Sequence, residues 1–147
     1  MLIIKNHPFT QESFATFARP FLNITIKNPS NGKIVKTKGL IDTGADLCAF
    51  PPYIAKKLGY VWKKGRRDKV ITAQKMADVY AYPTTIIFDH HPSNPASGVQ
   101  QFSTGEIMVN YQEDLHIPLL GAGNFLSSFI LIIDYKRRTF SLDHRGS

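Results

Sequence analysis

One aspartate occupies a position where a carboxyl group could do chemistry. Asp42 follows the apolar residues Leu40 and Ile41 and precedes Thr43 and Gly44. Thr43 can form a local hydrogen bond, and Gly44 lets the backbone turn with no Cβ atom in the way. This order predicts a strand that ends in a tight turn with the Asp42 side chain at its tip. The apolar residues nearby predict that Asp42 is buried, which would make ionisation of its carboxyl group costly.

Asp-Thr-Gly alone is a weak signal, because Asp and Gly are common in ordinary turns. Its surroundings favour a functional site, since Ala45 and Asp46 continue the turn and a second apolar-apolar-glycine element lies far downstream at residues 119–121. With these features the sequence resembles the retropepsin-like aspartic proteases over residues 21–142. The matching segments are residues 40–46, 54–59, 119–121, 125–126 and 129–135.

The resemblance implies an all-β-dominated, single-lobe retropepsin-like fold: a closed β-barrel or sandwich with a flap hairpin and one or two short helices. It implies an aspartic endopeptidase that hydrolyses peptide bonds, with no metal or organic cofactor. The residues that it assigns to catalysis are Asp42, Thr43 and Gly44, and those that it assigns to substrate binding are Ala45, Asp46 and the flap residues Ala73, Gln74, Lys75 and Met76.

The number of Asp-Thr-Gly turns predicts the oligomeric state. Two carboxyl groups about 3 Å apart cannot both ionise easily, so that one can activate water while the other donates a proton. This chain has one such turn, and a twofold homodimer would bring Asp42 of each copy together. The partner molecules are then a second copy and a peptide or protein substrate, which would lie extended under the flap and add a strand.

Two departures from the family pattern favour a second interpretation. Family members often have Arg after the downstream glycine, where it pairs with the second Asp of the turn, here Asp46. This chain has Ala122 at that place, and its predicted flap tip has no glycine. The alternative is therefore a catalytically weak retropepsin-like module for peptide binding or dimerisation.

Composition limits the remaining classes. The length of 147 residues predicts one domain, with its core at residues 21–142, an N-terminal extension at 1–19 and a disordered end at 143–147. No apolar run approaches the roughly 20 residues of a membrane span, and the N-terminal apolar stretch is too short for a signal peptide. The single cysteine, Cys48, excludes an intramolecular disulfide and predicts a buried apolar residue, not a nucleophile. We expect an intracellular, cytoplasmic protein.

A formal net charge of +7 raises the question of nucleic-acid binding. The basic runs, at residues 33–38, 56–69 and 136–138, are separated by apolar segments and lack interleaved aromatic residues. A solvated basic surface is therefore favoured over nucleic-acid binding. His90 and His91 have no ligand-spaced neighbours, which predicts solvated loop histidines and no metal site.

Periodicity and turn residues predict the secondary structure. The expected strands are residues 21–27, 33–41, 69–72, 77–82, 84–88, 106–111, 115–120, 129–134 and 139–142. The expected helices are a short one started near Thr10, one between Pro51 and Gly59, and one at 122–128. Residues 89–98 are expected to form a loop.

Overall fold

The fold is known from a computed structural model, which describes residues 1–12, 16–61, 63–71, 76–91 and 98–144. Strands dominate these described residues, which also contain one α-helix and a short 3₁₀ helix, Leu126–Ser128. In chain order the elements are β1 (Leu2–Pro8), β2 (Phe21–Lys27), β3 (Ile34–Ile41), β4 (Ala49–Phe50), α1 (Pro52–Lys57), β5 (Arg66–Ile71), β6 (Met76–His90), β7 (Gln100–Gln112), β8 (Leu119–Leu120), β9 (Phe129–Asp134) and β10 (Thr139–His144).

The hairpin of β2 and β3 leads to the Asp42 turn. Apolar residues alternate along β2, so that Leu22, Ile24 and Ile26 are buried while the residues between them are more exposed. Gly32 closes the connection with φ +76°, a left-handed conformation that glycine adopts readily. The two strands pair in register from Lys27 opposite Ile34 to Phe21 opposite Leu40. The end of β3 is therefore fixed one residue before Asp42.

The larger sheet closes on itself. Its strand order is β2-β3-β8-β4-β7-β6-β5, and β2 also pairs with β6. This second pairing closes β2, β3, β8, β4, β7 and β6 into a barrel, and β5 continues outward as the partner of β6. The predicted closed all-β architecture with short helices is confirmed.

A second sheet of three strands, in the order β1-β10-β9, joins the two ends of the chain. Ile3 and Ile4 of β1 belong to the hydrophobic core, so that residues 2–8 are not an extension outside it. Residues 143–144 belong to β10 and not to a disordered end, and residues 145–147 lie outside the described residues. The domain core therefore exceeds the predicted 21–142 at both ends.

Several element boundaries differ from the sequence-based prediction. The strands predicted at 77–82 and 84–88 are one strand, β6, in which the exposed Pro83 pairs with Met108 of β7. The strand predicted at 115–120 is limited to β8, and the helix predicted at 122–128 is a turn followed by the 3₁₀ helix. Near the predicted N-terminal helix, Thr10 instead pairs with Arg19 through an isolated bridge, and residues 13–15 lie outside the described residues.

The prediction of two solvated histidines is wrong for one of them. His90 ends β6 and is 6% exposed, whereas His91 is exposed. Burial, together with the nearby His144, lowers the pKa of His90. In the described part of the chain, no helix is long and apolar enough to cross a membrane.

Candidate active site

The Asp42 turn is held by hydrogen bonds at its base and within the turn. The Asp42 N–H donates to the Leu120 carbonyl oxygen (3.1 Å), which joins the turn to β8. The Gly44 N–H donates to Asp42 Oδ1 (2.9 Å), and the Ala45 N–H donates to the Asp42 carbonyl oxygen (3.3 Å). These bonds fix the orientation of the Asp42 carboxyl group.

The predicted burial of Asp42 is wrong for the single chain. Asp42 is half-buried, and Thr43 and Gly44 beside it are exposed. The reason is that the buried residues Leu40 and Ile41 end the strand, while the turn itself projects beyond the barrel wall. One carboxyl oxygen accepts a hydrogen bond from the Gly44 N–H, and the side chain remains partly accessible to solvent.

The segment 121–124 crosses behind the turn and holds its second half. The Ala122 N–H donates to the Ala45 carbonyl oxygen (2.8 Å), and the Gly123 N–H donates to the Asp46 carbonyl oxygen (2.7 Å). A Cβ atom on Gly121 would lie 2.4 Å from the carbonyl carbon and oxygen of Leu47, closer than any side chain allows. Glycine at this position is therefore required for the close approach of the two backbones.

The two apolar elements of the sequence, residues 40–41 and 119–120, lie side by side in the sheet. β3 and β8 pair in parallel, with Leu40 opposite Leu119 and Ile41 opposite Leu120. Leu120 is fully buried, Leu40 and Ile41 are buried, and Leu119 is half-buried beside the site. This pairing places the crossing segment directly under the Asp42 turn.

Asn124 is a site residue that the sequence analysis missed. Its Oδ1 accepts a hydrogen bond from the Cys48 N–H (2.9 Å), and its Nδ2 donates to the Met108 carbonyl oxygen (3.0 Å). The side chain thus ties the end of the 42–48 loop to β7. No local pattern in the sequence marks Asn124, because the run 119–133 also contains the polar residues Ser127 and Ser128.

Cys48 packs as a buried apolar residue, as predicted. It is fully buried, and the Gly121 N–H donates to its Sγ atom (3.4 Å). Burial raises the pKa of the Cys48 thiol to about 12. The thiol is therefore protonated near neutral pH and is not a nucleophile.

The Asp42 turn faces a cleft of about 550 Å³ that the hairpin of β5 and β6, here called the flap hairpin, borders on the other side. The lining residues are Asp42, Gly44, Ala45, Asp46, Leu47 and Ala49 from the turn and β4, Asp68, Lys69 and Ile71 from β5, and Asn110, Gln112 and Leu119 from β7 and β8. Four of the predicted site residues, Asp42, Gly44, Ala45 and Asp46, thus meet at one cleft.

The remaining predicted site residues are placed elsewhere or lie outside the described residues. Thr43 is exposed on the turn and does not line the cleft. Met76 is the first residue of β6, opposite Ile71, so it belongs to a strand and not to the hairpin tip. Ala73, Gln74 and Lys75 are outside the described residues.

Acidic side chains outnumber basic ones in the lining of the cleft. Three carboxylates, on Asp42, Asp46 and Asp68, share it with one ammonium group, on Lys69. Asp46 is exposed and forms no ion pair with any residue that the structure describes, in keeping with the absence of Arg at position 122. Within the described ranges, no group of three or more His, Cys, Asp or Glu side chains could hold a metal ion.

Comparison with solved structures identifies the fold of the chain. A retropepsin-like aspartic protease from Rickettsia conorii superposes with a TM-score of 0.57 at 23% sequence identity, over 90% of this chain and 94% of that chain. The chain has a retropepsin-like fold. The protease of EIAV in complex with the inhibitor HBY-793 is a weaker match, with a TM-score of 0.44 and 17% identity over 76% of this chain and 88% of that chain. No protein-family model matches the chain, and no curated protein matches its sequence.

The predicted resemblance is thus confirmed at the level of the fold. The retropepsin-like barrel places the Asp42 turn above the crossing segment 121–124 and opposite the flap hairpin. Short backbone segments from β3, β8 and the crossing segment therefore position the single Asp-Thr-Gly turn of the chain.

Proposed function

We propose that this protein is an aspartic endopeptidase that acts as a homodimer, with Asp42 of each protomer in one active site. The observation that carries the proposal is the position of Asp42 in the retropepsin-like fold. It lies at the tip of a turn that backbone hydrogen bonds hold rigidly, and it faces a cleft that the flap hairpin borders.

The proposed mechanism requires the two Asp42 carboxyl groups to lie in contact. Close like charges cannot both form easily, so that one carboxyl group stays protonated while the other is ionised. The ionised group takes a proton from a water molecule, which attacks the peptide carbonyl carbon. The protonated group donates to the carbonyl oxygen, and a proton then passes to the leaving nitrogen. The Gly44 N–H, bound to Asp42 Oδ1, holds the carboxyl group in one orientation.

The cleft also suits an extended peptide. Its walls combine strand residues of the flap hairpin, at Asp68, Lys69 and Ile71, with the Asp42 turn. A peptide that lies between them could form backbone hydrogen bonds as an added strand. The exposed Ile71 (84%) and Leu47 (43%) provide apolar contacts for substrate side chains on opposite walls.

Replacement of Asp42 tests the proposal. The Asp42→Asn variant should fold normally but lose cleavage of a denatured protein substrate at acid pH, because an amide cannot hold the shared proton or activate water. Pepstatin, an inhibitor of aspartic proteases, should block the wild type. Asp89→Asn is a matched control, since Asp89 is exposed on β6 and does not line the cleft. Undiminished cleavage by Asp42→Asn would contradict the proposal.

A peptide-binding module is the second candidate function. The Asp46 carboxylate favours it, because this group forms no ion pair with any described residue and the charge pair common in the family at this turn cannot form with Ala122. In that case the wild type and Asp42→Asn would bind a peptide equally well, and neither would cleave it. Measurement of binding and cleavage on the same peptide therefore separates the two functions.

A further inference from the structure

The geometry points to a second binding site, a pocket that takes a small organic carboxylate and lies apart from the Asp42 cleft. The pocket has a volume of about 430 Å³, within the range of about 300–1,000 Å³ that small-molecule sites occupy. It lies where β6 ends at His90 and β7 begins, and residues of β1, β10 and the 3₁₀ helix complete its wall. Among the described residues, none lines both this pocket and the cleft.

A buried histidine without a hydrogen bond marks this pocket as a binding site. His90 is 6% exposed, and its Nδ1 atom is buried and has no hydrogen-bond partner among the described residues. A buried polar atom without a partner is unfavourable, and native proteins contain few of them. The ring lines the pocket, and a half-turn about its Cβ–Cγ bond exchanges the positions of Nδ1 and Cδ2. A ligand in the pocket can therefore supply the missing partner.

The lining of this pocket selects an anion. The described residues that line it include no Asp or Glu, and His144 brings a second imidazole into it. Ser103 Oγ accepts a hydrogen bond from the Gly105 N–H (3.1 Å), so that the hydroxyl hydrogen of Ser103 is available to a ligand. The side-chain amides of Gln100 and Gln101 add N–H donors. The formal net charge of +7 also attracts anions to the chain as a whole.

A carboxylate with an apolar part fits the pocket better than a phosphate does. Arginine and lysine are the side chains that proteins commonly use for phosphate groups, and no described Lys or Arg side chain lines the pocket. One wall is aromatic, because the rings of Phe102 and His144 meet edge to face with their centroids 5.3 Å apart. Ile3 adds apolar surface to the same lining. The expected ligand is therefore a carboxylate attached to a small ring or chain.

Protonation of His90 links the binding of such an anion to pH. The titratable groups around the pocket come from β1, β10 and the end of β6, and they are the Met1 amino group, Asp89, His91, Asp143 and His144. Burial lowers the pKa of His90 most, His144 and His91 lower it further, and Asp89 opposes them. The Met1 amino group is paired with the Asp143 carboxylate. A bound carboxylate favours the imidazolium form, so that binding should raise the pKa of His90 and tighten as the pH falls.

The pocket is connected to the Asp42 turn by Asn124. This side chain lines the pocket, and its Oδ1 accepts the hydrogen bond from the Cys48 N–H. A ligand in the pocket would therefore lie beside the residue that holds the end of the 42–48 loop. The ligand and a peptide in the cleft would nevertheless occupy separate places.

Binding of benzoate, with uncharged benzamide as the matched control ligand, tests the proposal. In NMR spectra of the isotopically labelled full chain, benzoate should shift the backbone amide signals of Gln101, Phe102 and Ser103 and the ring signals of His90. The dissociation constant expected for a ligand of this size is about 1–10 mM. Saturating benzoate should raise the pKa of His90 by about one unit, which corresponds to about tenfold tighter binding to the imidazolium form. Benzamide should bind at least about tenfold more weakly. Equal binding of benzamide or of inorganic phosphate would overturn the proposal of a carboxylate site.

Variants locate the binding of benzoate. His90→Phe keeps an aromatic ring but removes both nitrogens, and it should abolish the benzoate-dependent shift at Ser103. Ser103→Ala changes an exposed position and should weaken binding about two- to tenfold, because one hydrogen-bond donor is lost. His116→Phe is the control, since His116 is exposed and does not line the pocket, and it should bind benzoate as the wild type does. Wild-type affinity in both His90→Phe and Ser103→Ala, or a wild-type protein in which benzoate shifts no pocket signal, would contradict the proposed site.

Discussion

Removal of the Asn124 side chain should loosen the Asp42 turn. This side chain makes two hydrogen bonds, one from the Cys48 N–H and one to the Met108 carbonyl oxygen. Each such bond contributes about 0.5–1.5 kcal/mol, so that Asn124→Ala should lower the free energy of unfolding by about 1–3 kcal/mol. Peptide cleavage should fall as well, because Cys48 ends the loop that carries Asp42.

A second variant separates the two bonds. Asn124→Asp keeps an oxygen that can accept from the Cys48 N–H but loses the donor to Met108. Met108 is 39% exposed, so that water can replace the lost donor at its carbonyl oxygen. Asn124→Asp should therefore lower the free energy of unfolding less than Asn124→Ala does, and it should retain more of the peptide-cleaving activity.

Urea unfolding followed by circular dichroism, with peptide hydrolysis measured on the same samples, provides the assay. Asn23→Ala is the control, since Asn23 is exposed on β2 and its replacement should change the stability by less than about 0.5 kcal/mol. An Asn124→Ala protein as stable and as active as this control would refute the assigned role. An Asn124→Asp protein only as stable as Asn124→Ala would show that the Met108 bond, and not the Cys48 bond, carries the effect.

Three further changes test other parts of the account. Leu120→Ala should lower the free energy of unfolding, measured in urea, by about 2–5 kcal/mol, because Leu120 is fully buried beneath the turn. A decrease below about 1 kcal/mol would argue against this packing. Ala122→Arg should raise the free energy of unfolding by about 0.2–1 kcal/mol, because the new guanidinium group can form an ion pair with Asp46. A double-mutant cycle with Asp46→Asn that shows no coupling energy between the two positions would contradict that geometry. The pKa of the Cys48 thiol is raised to about 12, so that this thiol stays protonated at a pH of about 9, where a free thiol of pKa about 8.5 is mostly ionised. A maleimide should therefore label Cys48 only after the protein unfolds. Rapid labelling of the native protein would disprove the burial of Cys48.

The parts of the fold that local signals specify could be predicted from the sequence. The alternation in β2, the glycine turn before β3 and the proline start of α1 all involve neighbouring residues, and these elements were predicted to within one or two residues. β1 was missed because its apolar stretch is short and its partner, β10, lies at the other end of the chain. The sequence analysis divided β6 into two strands because proline usually ends a strand. In the structure, Pro83 is exposed within one long strand.

The same difference between local and long-range signals explains which parts of the candidate site could be predicted. The Asp42 turn was predictable because its residues are contiguous and each has a local role. Asp68, Asn110 and Asn124 come from three separate segments and reach the site only through the barrel, so that no local pattern marks them. The exposure of Asp42 was also missed, since the burial of Leu40 and Ile41 does not extend to the tip of the turn.

Subunit mixing tests the central claim, that one active site uses Asp42 from two protomers, most directly. Wild-type chains are mixed with Asp42→Asn chains, allowed to exchange, and assayed for peptide hydrolysis per wild-type chain. A shared site predicts that this activity falls to about half at an equal ratio and to about one tenth with ninefold excess variant, because the mixed dimers are inactive. Mixing with Asp89→Asn, which should itself be active, should leave the activity per total chain unchanged. Activity per wild-type chain that does not fall with added Asp42→Asn would contradict the account.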